Sequence, residues 1–304
     1  MGKIAFVFAG QGAQYPGMGK SLYDTSAAAR AVFDMAEGIR PGTLPQCFAG
    51  TKEELTVTVN TQPCLYCVDL AAAEALREAG ITPAAAAGFS LGEIAALAFS
   101  GAVSAEEGFR LVCARAAAMQ KAAEHTDAAM AAVVKLDNAA VEGLCARYTA
   151  VYPVNYNCPG QLVVAGDKAE LERFKADVKE AGGKAIPLAV GGGFHSPFME
   201  GAAAEFGEAL RGFAVGAPQL ALYANVTGRP YDGDIPALLE RQVKSPVRWQ
   251  ETVENMCAAG IDTFVEVGPG KTLCGLIRKI APEAAVLQVE DEESLRAAVT
   301  ALAG

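Results

Sequence analysis

With 304 residues, 52% of them hydrophobic and 20% charged, the chain has ample apolar material for a large core in one or two domains. A net charge of −10 and a pI near 4.9, with no basic face or stripe, speak against a nucleic-acid binder. No apolar run reaches the ~18 residues of a membrane span, and the amino terminus lacks the apolar core and cleavage site of a secretory signal. A soluble cytoplasmic protein that meets neither membrane nor nucleic acid is expected.

Residues 3–9 read as a strand ending in Gly10-Gln11-Gly12-Ala13-Gln14. Two nucleotide motifs almost occur here and fail on spacing: a dinucleotide fingerprint needs a small residue at Tyr15, and a P-loop ending at Gly19-Lys20-Ser21 needs glycine at Gln14. Gly268-Pro269-Gly270-Lys271-Thr272 fails likewise, because Val265 occupies the first glycine position. Residues 21–38 are Ala-rich and predict one helix. After a polar loop, Asn60-Thr61-Gln62-Pro63 leads into a helix through Ala79, ended by Gly80.

Ala84-Ala85-Ala86-Ala87 then reads as a short buried strand, followed by Gly88-Phe89-Ser90-Leu91-Gly92 and a helix over 93–99. G-x-S-x-G between strand and helix has a steric reason. A sharp turn pushes the serine outward, and its flanking residues must be small. The helix amino end favours negative charge beside Ser90. Ser104-Ala105-Glu106-Glu107 is a capping box opening a helix to about Lys121. On that helix Arg115 falls between Leu111 and Met119, on the apolar side, among alanines that offer no carboxylate. A guanidinium buried without an anion is costly, so either a distant acid pairs with it or it awaits an acidic ligand.

From residue 128 the pattern changes. Strands over 129–136, 152–157, 161–165 and 184–190, with helices over 138–148 and 169–182, give a βαββαβ order that resembles a ferredoxin-like unit. Residues 125–190 are therefore expected as a small domain inserted into a larger one formed by 1–124 and 191–304. The glycines of Gly191-Gly192-Gly193-Phe194-His195 permit close approach at the junction. Beyond it come a helix to about Phe213, a strand over 220–225, helices over 236–243 and 249–260, a strand over 263–267, and helices over 275–280 and 293–303.

The eight cysteines are scattered in apolar stretches, and the one C-x-x-C, Cys64 to Cys67, has no second pair or histidine near it, so buried thiols rather than a metal site are expected. Ser90 needs a general base. Of the two histidines, His125 lies in a polar linker and His195 at the domain junction, which favours His195. No acidic residue stands in an obvious triad position, which leaves a backbone carbonyl as an alternative orienting acceptor.

At this point the chain resembles the malonyl-CoA:acyl-carrier-protein transacylases of bacterial fatty-acid synthesis. The resemblance spans nearly the whole length. It rests on Gly10-Gln11-Gly12-Ala13-Gln14, Thr61-Gln62-Pro63, Gly88-Phe89-Ser90-Leu91-Gly92-Glu93, Arg115 with Met119-Gln120, and the stretch from Val154 to Gln161. It continues through Phe194-His195-Ser196, Asn225-Val226, Ser245-Pro246-Val247-Arg248-Trp249 and Glu266-Val267-Gly268-Pro269-Gly270-Lys271. The resemblance implies an α/β fold, an α/β-hydrolase-like large domain with a ferredoxin-like insert. It implies ping-pong transfer of a malonyl group from malonyl-CoA to the phosphopantetheine thiol of an acyl carrier protein, with no cofactor or metal and by a monomer. Ser90 would be the nucleophile, His195 the base, and the N–H groups of Gln11 and Leu91 the oxyanion donors. Arg115 would grip the malonyl carboxylate, and the Gln242 carbonyl would orient the histidine. Gln62, Asn155, Asn157 and Gln161 match pocket or structural polar positions. Phe194-His195-Ser196 resembles the malonyl-selective form of its motif. One departure is Phe89, where the family usually has histidine. Since His195 remains, the change is expected to alter pocket packing or acyl-serine hydrolysis without removing catalysis. A serine thioesterase using the same elbow is the rival reading. An acidic carrier needs a local basic patch, and Lys271 with Arg278-Lys279, or Lys244 with Arg248, are the candidates.

Overall fold

The computed structural model describes residues 2–303, so the outermost residue at each end of the expected partition lies outside it. The chain opens with β1 (Lys3–Phe8), followed by α1 (Lys20–Thr25), α2 (Ala27–Ile39), α3 (Thr43–Ala49), α4 (Lys52–Thr56) and α5 (Thr58–Glu78). Next come β2 (Ala85–Gly88), α6 (Gly92–Phe99), α7 (Ala105–Glu124), β3 (Ala128–Val134), α8 (Asn138–Cys145), β4 (Val151–Cys158), β5 (Gln161–Asp167), α9 (Lys168–Glu180) and β6 (Lys184–Pro187). The chain closes with α10 (Glu200–Leu210), β7 (Ala221–Tyr223), α11 (Ile235–Val243), α12 (Trp249–Ala258), β8 (Ile261–Val267), α13 (Thr272–Ile280), β9 (Ala285–Val289) and α14 (Glu292–Leu302).

Five strands form a parallel sheet in the order β7-β2-β1-β8-β9. Both faces are covered, as parallel sheets require. Phe6, Phe8, Val265 and Val267 share one core with residues of α5, α6 and α7. Ala5, Val7, Ala85, Ala87 and Phe264 share another with Trp249, Met256 and Ile277 of α12 and α13. The small side chains of β2 let α6 pack close: a Cβ on Gly92 would lie 2.5 Å from the carbonyl oxygens of both Phe8 and Ala9.

Residues 128–187 build a separate antiparallel sheet in the order β4-β5-β3-β6. Ala131, Val133, Leu162 and Val164 pack beneath α8 and α9 with Val141, Phe174 and Val178. The opposite face, through Met130, Ala132, Val163 and Ala165, joins the main core. A backbone splint links the two sheets. The Tyr156 N–H donates to the Val247 carbonyl at 2.9 Å, and the Val247 N–H donates to the Val154 carbonyl at 2.8 Å. The next residue, Arg248, donates its N–H to the carbonyl of Asn225 at 2.9 Å, just past β7.

Several expected elements are corrected. The helix over 21–38 is two helices, because the Ser26 hydroxyl accepts the Ala29 N–H and caps a new start. The polar loop holds α3 and α4, the latter opened by a Thr51–Glu54 capping box. The strand expected to reach Val190 ends at Pro187, and that over 220–225 is Ala221–Tyr223. The helix over 138–148 stops at Cys145, and α13 begins at Thr272 rather than Gly275. β9, on the sheet edge, was not anticipated.

Candidate active site

The carboxyl ends of β1, β2, β7 and β8 converge, the usual place for a site in an open parallel sheet. The turn after β2 carries Ser90 at φ 55°, a left-handed conformation for a residue with a Cβ. Its flanking glycines have no room for a side chain: a Cβ on Gly88 would sit 1.9 Å from the Gly92 carbonyl carbon. The strain is held by hydrogen bonds. Asn225 accepts the Ser90 N–H on Oδ1 at 2.8 Å and donates from Nδ2 to the Gly88 carbonyl at 2.6 Å.

His195 also has a left-handed backbone, φ 60°, and is buried. Its Nδ1 lies 2.9 Å from the Gln242 backbone carbonyl, which can only accept. The proton therefore sits on Nδ1, and Nε2 is free to accept from the Ser90 hydroxyl at 2.7 Å. Burial, reinforced by the nearby Arg115 charge, pushes the imidazole pKa down to about 4. The ring is thus neutral and basic at neutral pH.

Arg115 is fully buried on α7. Neither sequence alternative describes it fully. It forms no ion pair among the described residues, and amides hold it instead. Nη1 donates to Gln62 Oε1 at 2.8 Å, and Nη2 donates to Gln242 Oε1 at 2.8 Å and to Ser90 Oγ at 3.1 Å. Burial lowers its pKa to about 10, which leaves it charged at neutral pH. Its Nε lacks a partner.

Sequence reasoning gave no role to two residues here, and gave a third only its backbone carbonyl. Glu93 is buried three residues after Ser90 and accepts from the Asn225 N–H at 3.2 Å, from Gln242 Nε2 at 2.9 Å and from the Tyr231 hydroxyl. Burial raises its pKa to about 7 against those hydrogen bonds. Asn225 anchors the Ser90 turn as described. The Gln242 side chain also donates to the Ser90 carbonyl at 2.7 Å. A glutamate opening a helix reads in sequence as a dipole-favoured surface residue. The signal that could have found it is its place in the otherwise apolar run Gly92–Phe99.

Gln11 follows β1, and Leu91 follows Ser90 at the start of α6. Among the described residues neither backbone N–H has a protein acceptor. Gln11 and Phe89 line a cavity of about 240 Å³ between the two sheets, which Ala132, Asn155, Asn157, Gln161 and Val163 close from the small sheet. The Oδ1 atoms of Asn155 and Asn157 are buried without partners. Phe89 meets Trp249 edge-on at 5.5 Å. His125 lies apart, its Nδ1 2.7 Å from the Lys121 carbonyl. Among the described residues no group of three or more side chains could hold a metal ion, and the eight cysteines are free thiols.

The profile of the acyl transferase domain matches residues 5–296. The malonyl CoA-acyl carrier protein transacylase of Bacillus subtilis (strain 168) is 38% identical, covering 99% of this chain and 98% of that protein. This chain belongs to the malonyl CoA-acyl carrier protein transacylase family. The transacylase of Escherichia coli (strain K12) is 36% identical over 98% of the chain and 99% of its own length. Among solved structures, the family member from Clostridium perfringens superposes with a TM-score of 0.96 at 36% identity, covering 99% of this chain and 97% of that one. A malonyl-transacylase in complex with a type II PKS acyl-carrier protein superposes with a TM-score of 0.94 at 34% identity, covering 98% of this chain and 99% of that one. The chain thus shares its mixed α/β architecture, one parallel and one antiparallel sheet, with other members of the transacylase family.

Proposed function

We propose that this member of the family transfers a malonyl group from malonyl-CoA to the phosphopantetheine thiol of an acyl carrier protein through a malonyl-Ser90 intermediate. One observation carries the reading: a single hydroxyl oxygen, Ser90 Oγ, is in hydrogen-bond contact with both a neutral imidazole and a buried guanidinium. The imidazole can take the serine proton, and the guanidinium can hold an acyl carboxylate in a fork.

In this reading Ser90 Oγ attacks the thioester carbonyl as His195 Nε2 takes its proton. The Gln242 carbonyl keeps His195 in the required tautomer and stabilises the imidazolium. The N–H groups of Gln11 and Leu91 receive the oxyanion. The tetrahedral intermediate collapses, the C–S bond breaks, and His195 returns the proton to the CoA thiolate. The carrier thiol then attacks the acyl-serine, gives its proton to His195, and leaves with the malonyl group as Ser90 recovers the proton. The cavity beside Gln11, with the unpartnered amide oxygens of Asn155 and Asn157, suits an amide-bearing pantetheine arm. We further read the parallel sheet as an α/β-hydrolase-like domain, 1–124 with 191–304, and 125–190 as a ferredoxin-like insert. The β4-β5-β3-β6 order supports the latter.

The test is intact mass and peptide mapping after mixing the protein with malonyl-CoA and no acceptor. One malonyl adduct on Ser90 is expected. Free malonate without an adduct would instead indicate a hydrolase. Arg115→Ala is expected to lose the malonyl adduct while still taking acetyl from acetyl-CoA; equal loss of both would leave Arg115 a structural part of the fold.

A further inference from the structure

The hydrogen bonds around Gln242 have a direction. Its Oε1 accepts from Arg115 Nη2 at 2.8 Å, and its Nε2 donates to Glu93 Oε2 at 2.9 Å and to the Ser90 carbonyl at 2.7 Å. Arginine can only donate, and an ionised carboxylate can only accept. Glu93 and Arg115 therefore hold opposite ends of one amide, and together they settle which way round it lies. The other Glu93 oxygen accepts from the Asn225 N–H and the Tyr231 hydroxyl, and Asn225 in turn fixes the Ser90 N–H. Ser90, His195 and Arg115 thus each reach Glu93 through a single intervening residue. Glu93 itself is 1% exposed.

We propose that Glu93 is a positioning residue for acyl transfer, whose ionised carboxylate orients the Gln242 amide and through it presents Arg115 and His195 to the acyl group. The inference rests on the transacylase reading above. A proton on Oε2 removes the acceptor that Gln242 needs, and one on Oε1 meets the Asn225 N–H and the Tyr231 hydroxyl, both of which donate to that oxygen. If the amide turned over to accept from the neutral acid, its NH2 would face the Arg115 guanidinium, two donors with no acceptor between them. The charged and titratable groups facing Glu93 are Arg115 from α7 and Tyr231 from the segment before α11, while Gln242 and Asn225 are neutral. Burial already lifts the carboxyl into the neutral range, and the phenol of Tyr231 is held well above its ordinary range, so the titrating member of the set is Glu93.

Dependence of kcat/KM on pH reports ionisations of the free enzyme. For malonyl-CoA, wild-type kcat/KM is expected to fall through a midpoint near neutrality and to level off about tenfold lower on the acid side. Glu93→Gln keeps the shape but cannot ionise. Its own NH2 meets either the Gln242 NH2 or the Asn225 N–H. It is expected to lose roughly tenfold in kcat/KM at pH 8 and to show no neutral-range limb. Glu93→Asp keeps a carboxylate and is expected to retain that limb at a lower rate, which decides the matter if Glu93→Gln does not fold. A Glu93→Gln profile with the wild-type shape, whether at full rate or uniformly reduced, would overturn the proposal and leave Glu93 a packing residue. Malonylation of wild-type Ser90, measured alongside, separates the two failures: its absence removes the reading on which the proposal stands, and its presence with an unaltered Glu93→Gln profile removes the proposal alone.

Discussion

At the scale of single residues, His195 has a cost that its chemistry explains. Its folded pKa of about 4 lies below the 6.5 of a free imidazole. As pH falls through that window the unfolded chain takes up a proton that the native state refuses, so native stability is lost on acidification. The difference amounts to roughly 3 kcal/mol, at about 1.4 kcal/mol per unit. Urea unfolding of wild type and His195→Gln at pH 7 and pH 4 measures it. The wild type is expected to lose about that much more than the variant on acidification, and parallel losses would mean that the imidazole titrates normally. Ser90 was legible in the sequence because G-x-S-x-G carries its own steric reason. Arg115 was legible as an anomaly but not in its solution, since its partners Gln62 and Gln242 lie 53 and 127 residues away. Asn225 gave no local signal of a role and Glu93 only that of a charge in an apolar run, because their meaning lies in contacts across more than 130 residues.

Among the elements, β2 is the instructive one. Its sequence, Ala85-Ala86-Ala87-Gly88, favours a helix by propensity alone. It is a strand because it is buried on both faces and closed by a glycine, and because only small side chains let α6 lie against the end of β1. Gly92→Ala is therefore expected to cost about 3 kcal/mol by overpacking against two backbone carbonyls that cannot retreat. Gly143→Ala, in α8 where an added Cβ meets nothing within 4 Å, is expected to gain about 0.5–1 kcal/mol. Urea midpoints of the two variants check the pair, and similar shifts would refute the close contact of α6 with β1. Elements were legible where punctuation was strong, as at Ser104 and Gly80. They were missed where a cap stood directly before an alanine run, as at Ser26, or where helices of five and seven residues, α4 and α3, were too short to establish a period.

For the whole molecule, the pattern change at residue 128 was readable as a second unit, since strand and helix periods alternate differently there. Which edge of that unit meets which loop was not, because nothing local encodes the pairing of β4 with Val247. The net charge of −10 makes recognition of an acidic carrier a local matter. Lys244 and Arg248 are paired with Glu200 at 2.6 Å and Glu251 at 3.2 Å. Lys271, Arg278 and Lys279 are exposed and form no ion pair among the described residues. Lys271 immediately precedes α13 and Arg278 and Lys279 lie in its last turn, and Thr272, Leu273 and Leu276 of the same helix line the cavity. Charge reversal at Lys271 and Arg278 together is expected to raise the KM for carrier protein about tenfold and leave that for malonyl-CoA unchanged. Steady-state kinetics with each substrate varied in turn checks this, and an unaltered carrier KM would exclude the patch.

The splint through Val247 has a mechanical meaning. The same short segment is bonded on one side to β4 of the small sheet and on the other, through Arg248, to the carbonyl of Asn225, whose side chain holds the Ser90 turn. The two sheets therefore cannot part without tearing backbone hydrogen bonds close to Ser90. The cleft is a gauge of preset width rather than a mouth that closes. In the transfer proposed above, a slender arm would enter and leave such a cleft without an opening stroke.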